Sequence, residues 1–193
     1  MQVQQLAPGL WRWTARHPTF DDPALGTDVG CVYAETEDAV VLIDPLIPAE
    51  EGERDRFLRA LDRDVERLHR PVVIVLTCAW HARSADELRE RYGATEAQPP
   101  GVVSYPVAED EVAFWLPRHR AVVAGDALLG IGELRRCPDG WVAERGGAEQ
   151  LLRTLRAIAE LDVELVLPSH GDPVVRDAKR ALEAAIDGPP FGE

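Results

Sequence analysis

Apolar residues in this chain follow three habits, and each marks a different kind of element. Val72, Val73, Ile74, Val75 and Leu76 run without interruption and are mostly β-branched, which predicts a strand buried on both faces. Ser84 with Glu87 three residues on reads as a capping box, Leu88 and Tyr92 share a helical face, and Gly93 supplies a stop. These features predict a helix over Ser84–Tyr92. Cys78–Arg83 is then the loop leaving the carboxyl end of a buried strand, where α/β proteins usually hold their ligands.

Shorter patterns fill in the rest. Val3–Leu6, Leu10–Thr14, Val29–Glu35 and Val40–Ile43 read as strands around polar turns, an antiparallel opening. The proline-rich stretch His17–Pro23 predicts a loop, and Asp44-Pro45 stops the fourth strand. Phe57, Leu61, Val65 and Leu68 recur at helical spacing, so Glu50–His69 is expected to be a helix ended by Pro71. Three strands follow at Val102–Val107, Glu111–Leu116 and Ala121–Gly125, with turns at Ala108–Asp110 and Pro117–Arg120. A helix over Ala148–Leu161, a strand at Glu164–Leu167 and a last helix carrying Ala178, Leu182, Ala185 and Ile186 complete the reading. The Pro189–Glu193 tail is expected to fray.

Composition narrows the class. A chain of 193 residues with 46% hydrophobic content suits one domain over residues 1–193. Its 34 acidic and 21 basic residues give a formal charge of −13, which argues against coating nucleic acid or an anionic membrane. No segment has the basic and apolar regions of a signal peptide or the length of a membrane span, so a cytoplasmic protein is expected. Cys31, Cys78 and Cys137 are scattered and odd in number, which points to reduced thiols rather than a disulfide framework.

Chemistry concentrates at three strand exits: Cys78–Ser84, Gly125-Asp126 and Ser169–Asp172. His81, Asp126 and His170 are costly to bury and are the residue types that zinc takes as ligands. Each also has a structural reading: His81 as a helix-entry hydrogen bonder, Asp126 as a turn cap, His170 as the organiser of its own loop. Cys78 reads as a small buried hydrophobe or a fourth ligand. Trp80, Trp115 and Trp141 read as core or pocket wall. No GxGxxG, GxxxxGK[ST] or GxSxG is present, so dinucleotide, P-loop and α/β-hydrolase chemistry lack their motifs.

The element order, with VLIDPL at Val41–Leu46, the loop after Leu76-Thr77, Gly125-Asp126 and LPSHG at Leu167–Gly171, resembles the metallo-β-lactamase superfamily over nearly the whole chain. The resemblance implies a four-layer αββα sandwich of two mixed sheets flanked by helices, a metal site at the sheet edge, and hydrolysis by a metal-bound hydroxide. It also exposes a departure. The family pattern T-H-x-H-x-D-H is replaced by Thr77-Cys78-Ala79-Trp80-His81-Ala82-Arg83, and no histidine lies between His81 and His119. Asp126 matches the bridging aspartate and His170 the last histidine, whereas His81 stands one residue later than the second motif histidine would and joins them by proximity, not by register. At most one Zn2+ or similar divalent ion, on His81, Asp126 and His170, is then expected. Arg83 stands where the last motif histidine would, able to replace a lost metal charge beside Asp126 or to clamp an anionic substrate. Two readings follow: a degenerate, non-catalytic member of the fold without metal, or a mononuclear hydrolase of an ester or thioester. In the second, Asp126 and Arg83 are the catalytic residues and the partner is a small-molecule substrate.

Overall fold

Alternation and β-branching along the first quarter of the chain make a meander. In the computed structural model, which describes residues 1–193, β1 (Gln2–Ala7), β2 (Leu10–Arg16), β3 (Asp28–Glu35) and β4 (Val40–Ile43) pair antiparallel in sequence order. Helix α1 (Glu51–Leu68) then carries the chain back, so that β5 (Val72–Val75) joins β4 in parallel. A parallel neighbour requires such a crossover. Helix α2 (Ala85–Tyr92) follows. Phe57 and Leu61 of α1 and Ala85 and Leu88 of α2 pack on the same sheet face as Trp13, Cys31, Leu42 and Ile74. Val73 and Val75 are buried as well, so β5 is interior on both faces.

The helix ends differ from expectation. The α1 N-terminus is capped by Glu50, whose carboxylate accepts from the Gly52 and Glu53 amides. Its C-terminus closes at His69, in the left-handed conformation with its N–H donating to the Val65 carbonyl, before Pro71 is reached. The Ser84–Glu87 capping box does not form: the Ser84 hydroxyl accepts instead from the Ile47 amide at 3.0 Å, and Glu87 pairs with Arg54. A tertiary demand, tying the chain after β4 to the start of α2, takes the hydroxyl away from its local cap.

The later elements form a separate compact unit. The structure divides into Met1–Leu76 with Trp80–Gly101, and Thr77–Ala79 with Val102–Glu193. In the second, β6 (Val103–Ala108), β7 (Glu111–Leu116) and β8 (Ala121–Gly125) run antiparallel. Two short strands, β9 (Leu128–Leu129) and β10 (Arg135–Arg136), form a ribbon, and α3 (Asp139–Val142) and α4 (Gly147–Ala159) lead to β11 (Leu165–Pro168), which pairs parallel with β8. Leu151, Leu155 and Ile158 of α4 and Leu182 and Ile186 of α5 (Ala178–Asp187) close the core over Trp115, Val122 and Val166. Of the three tryptophans expected as core or pocket wall, Trp115 is buried in the core, whereas Trp80 and Trp141 are exposed, at 47% and 38%, and are not core. The tail expected to fray is tied down, with Pro190 buried and the Phe191 amide donating to the Arg136 carbonyl. Two mixed sheets with flanking helices result, and no helix is long and apolar enough to cross a membrane.

Candidate functional site

Within the first unit, parallel pairing of β4 and β5 sends both strand exits off the same end, Ile43 opposite Val75. Asp44 leaves β4 in a left-handed conformation (φ 51°), which Asp tolerates better than most residues. There its Oδ2 lies 3.0 Å from Nδ1 of His81, both side chains almost wholly buried. His81 closes a short 3-10 turn, Ala79–His81. Arg83, also left-handed (φ 39°), donates Nη1 to the carbonyls of Gly30 (3.2 Å) and Asp44 (3.0 Å). One strand-exit residue therefore orients a histidine with its carboxylate and an arginine with its backbone. His17 shares this surrounding. Its pKa is lowered chiefly by burial and then by the positive charges of Arg83 and His81, and its Nδ1 accepts the Phe20 amide at 2.9 Å. The Cys31 thiol, 3.9 Å from Arg83, is pushed up to about 11 by burial and is inert as a nucleophile.

Within the second unit, β8 and β11 are likewise parallel. Asp126 follows β8, and its amide donates to Oε1 of the buried Glu111 at 3.1 Å. The other carboxylate oxygen of Glu111 lies 3.5 Å from Arg145, which also binds Asp110 at 2.7 Å. His170 follows β11 with Nε2 3.6 Å from Oδ1 of Asp126. Its loop is held through backbone: the Gly130 amide donates to the His170 carbonyl at 2.9 Å and the Asp172 amide to the Gly130 carbonyl at 2.8 Å. A Cβ on Gly171 would come within 2.3 Å of Gly130, so glycine is needed for the approach. Cys78 bridges to Glu111 in this unit, and its sulfur and a carboxylate oxygen of Asp126 lie within 4.8 Å of one another. Gly125, at φ 58°, presses on Thr77, where a Cβ would sit 2.8 Å away.

The structure thus brings Asp126 together with His170 and Cys78, and brings His81 together with Arg83 and Asp44. Two members escaped sequence reasoning. Asp44 was visible as a strand stop and as part of VLIDPL but was given no place in the site, and Glu111 was visible only as the acid opening an apolar strand, although a carboxylate at either place needs a partner if buried. Imidazole, carboxylate and thiol side chains fit zinc. The Asp44 carboxylate on Nδ1 of His81 is in addition the carboxylate–histidine arrangement by which proteins orient a metal-ligating imidazole.

No family model matches this chain, and no curated protein does. Solved structures do. A metallo-β-lactamase from Hirschia baltica is similar over 96% of this chain and 97% of its own, with a TM-score of 0.60 at 15% identity. Another, from Erythrobacter litoralis, is similar over 95% and 91%, with a TM-score of 0.55 at 18% identity. The chain has the metallo-β-lactamase fold, carried by a strongly diverged sequence.

Proposed function

We propose that this is a metallo-β-lactamase-fold protein with a reduced, single-metal site, acting as a hydrolase of a small-molecule ester or thioester. The observation that carries the reading is the buried Asp44–His81 pair, since a carboxylate holding Nδ1 at 3.0 Å presets Nε2 for ligation. His81, Asp126 and His170 are assigned as metal ligands, with Cys78 as the fourth donor; within the second unit Cys78 and Asp126 each offer a ligand atom. A bound zinc ion supplies Lewis acidity, lowering the pKa of water to roughly 7 and polarising an acyl carbonyl. Asp126 accepts a proton at its carboxylate, and Glu111 holds its backbone in place. Arg83 meets the anionic end of the substrate with its guanidinium, which is held in place as Nη1 donates to two carbonyls. The setting assigned is cytoplasmic, with no nucleic-acid or membrane partner.

The second reading, a non-catalytic member of the fold, is favoured by one observation. Thr77–Arg83 offers a single histidine where the family pattern has several. Metal content separates the two. Purified protein loaded with zinc and dialysed should retain about one ion per chain, lost with esterase activity in Asp126→Ala while circular dichroism is unchanged. Absence of metal, with a melting temperature indifferent to chelator, establishes the non-catalytic reading.

A further inference from the structure

We propose that the first unit carries a second ligand site, on the α1 side of its sheet, for a small organic anion with a flat apolar body. The register of β1–β3 places Val3 opposite Trp13 and Trp11 opposite Tyr33, which makes an aromatic shelf on one sheet face. Helix α1 covers part of it with Phe57 and Leu61 and leaves the outer part open. Val3 is 55% exposed and Trp11 is half-buried. A cavity of about 470 Å³ results, within the range of small-molecule pockets. Its back wall is rigid: Trp13 donates Nε1 to the Leu46 carbonyl at 2.9 Å and packs against Phe57 with ring centroids 5.1 Å apart.

Charge selects the occupant. Two acids reach the rim: Glu53 lies 3.0 Å from the Met1 amine, and Asp64 shares Arg67, at 3.3 Å, with Glu35, at 2.7 Å. Arg56 has its Nε anchored on the Gly52 carbonyl at 3.1 Å and forms no ion pair. It also lines a neighbouring depression of about 520 Å³ shared with Arg59, Arg63 and Asp62, where Asp62 is held by Arg91 and Tyr92. Arg56, Arg59 and Arg63 recur at helical spacing along α1, with Arg59 4.0 Å from Asp55. In a chain of charge −13, a stripe of arginines beside an aromatic shelf fits a ring stacked on the tryptophans with a carboxylate on Arg56. This site is independent of the metal reading.

The test uses the whole protein and 1-naphthaleneacetate as probe, followed by calorimetry and by quenching of tryptophan fluorescence. A Kd on the order of 100 µM is expected for a ligand of this size. Binding should weaken about tenfold in Arg56→Gln, with the melting curve unchanged because Arg56 is an exposed helix residue. Trp11→Ala should weaken it further, and 1-naphthylmethylammonium should bind at least about tenfold less tightly than the carboxylate. Chelator should leave the Kd unchanged. No binding at millimolar probe, equal affinity for the ammonium, indifference to Arg56→Gln or to Trp11→Ala, or loss of binding in chelator would each overturn the proposal.

Discussion

His81 and His170 are both buried histidines just beyond a strand that runs parallel to its neighbour, and the two units hold them by opposite means. His81 is fixed through its side chain, by the Asp44 carboxylate at 3.0 Å. His170 is fixed through its backbone, by the exchange of hydrogen bonds between its loop and Gly130, and its ring stands 3.6 Å from Asp126. The difference teaches where each unit is vulnerable. A side-chain tether is broken by changing one carboxylate and leaves the chain path alone, whereas a backbone clasp tolerates changes of side-chain chemistry but not an added methyl group.

The largest effect expected from this contrast belongs to the clasp. Gly171→Ala forces a Cβ to within 2.3 Å of the Gly130 backbone at a φ of 83°, a clash combined with left-handed strain. It should cost about 3 kcal/mol or more in urea denaturation. A loss under 1 kcal/mol would show that the loop is not held by glycine contact.

The tether should be weaker and should separate into parts. Asp44→Ala removes the partner of a buried imidazole and puts alanine at φ 51°, so a loss of about 2–3 kcal/mol is expected. Asp44→Asn keeps a hydrogen-bond acceptor and a residue at ease in that conformation, and should lose about 1 kcal/mol. Equal losses in the two variants, measured by thermal and urea unfolding, would mean that the carboxylate charge lost in both, rather than hydrogen-bond acceptance or backbone strain, sets the cost.

The smallest effect is a pH dependence confined to the first unit. His17 has a depressed pKa in the folded state, and its Nδ1 must be unprotonated to accept the Phe20 amide. Protons therefore favour the unfolded chain: the contribution is present above the ordinary histidine value of 6.5 and lost as pH falls through the lower folded value. His17→Asn should flatten the decline of stability below about pH 6.5 relative to the parent. A parallel pair of stability–pH curves would remove His17 from this role.

Runs such as Val72–Val75 and Ala121–Gly125, and the Phe57–Leu61 spacing of α1, announced themselves because burial of a strand or of one helical stripe leaves a local pattern in the residues that do it. The strand-exit loops were legible for the same reason, and with them His81, Asp126 and His170 as candidates. β9, β10 and α3 were not, since a two-residue strand shows no alternation and a four-residue helix is a single turn that shows no helical period. Nor were the exposure of Trp80 and Trp141, the diversion of Ser84 to Ile47, or the docking of Phe191 on Arg136. Each depends on what stands nearby in space. The Asp44–His81 pair shows the division most plainly: both residues sit in recognisable loops, but 37 positions separate them. Only the parallel register of β4 with β5, made possible by the length of α1, sends their loops off one edge of the sheet, where the imidazole meets the carboxylate.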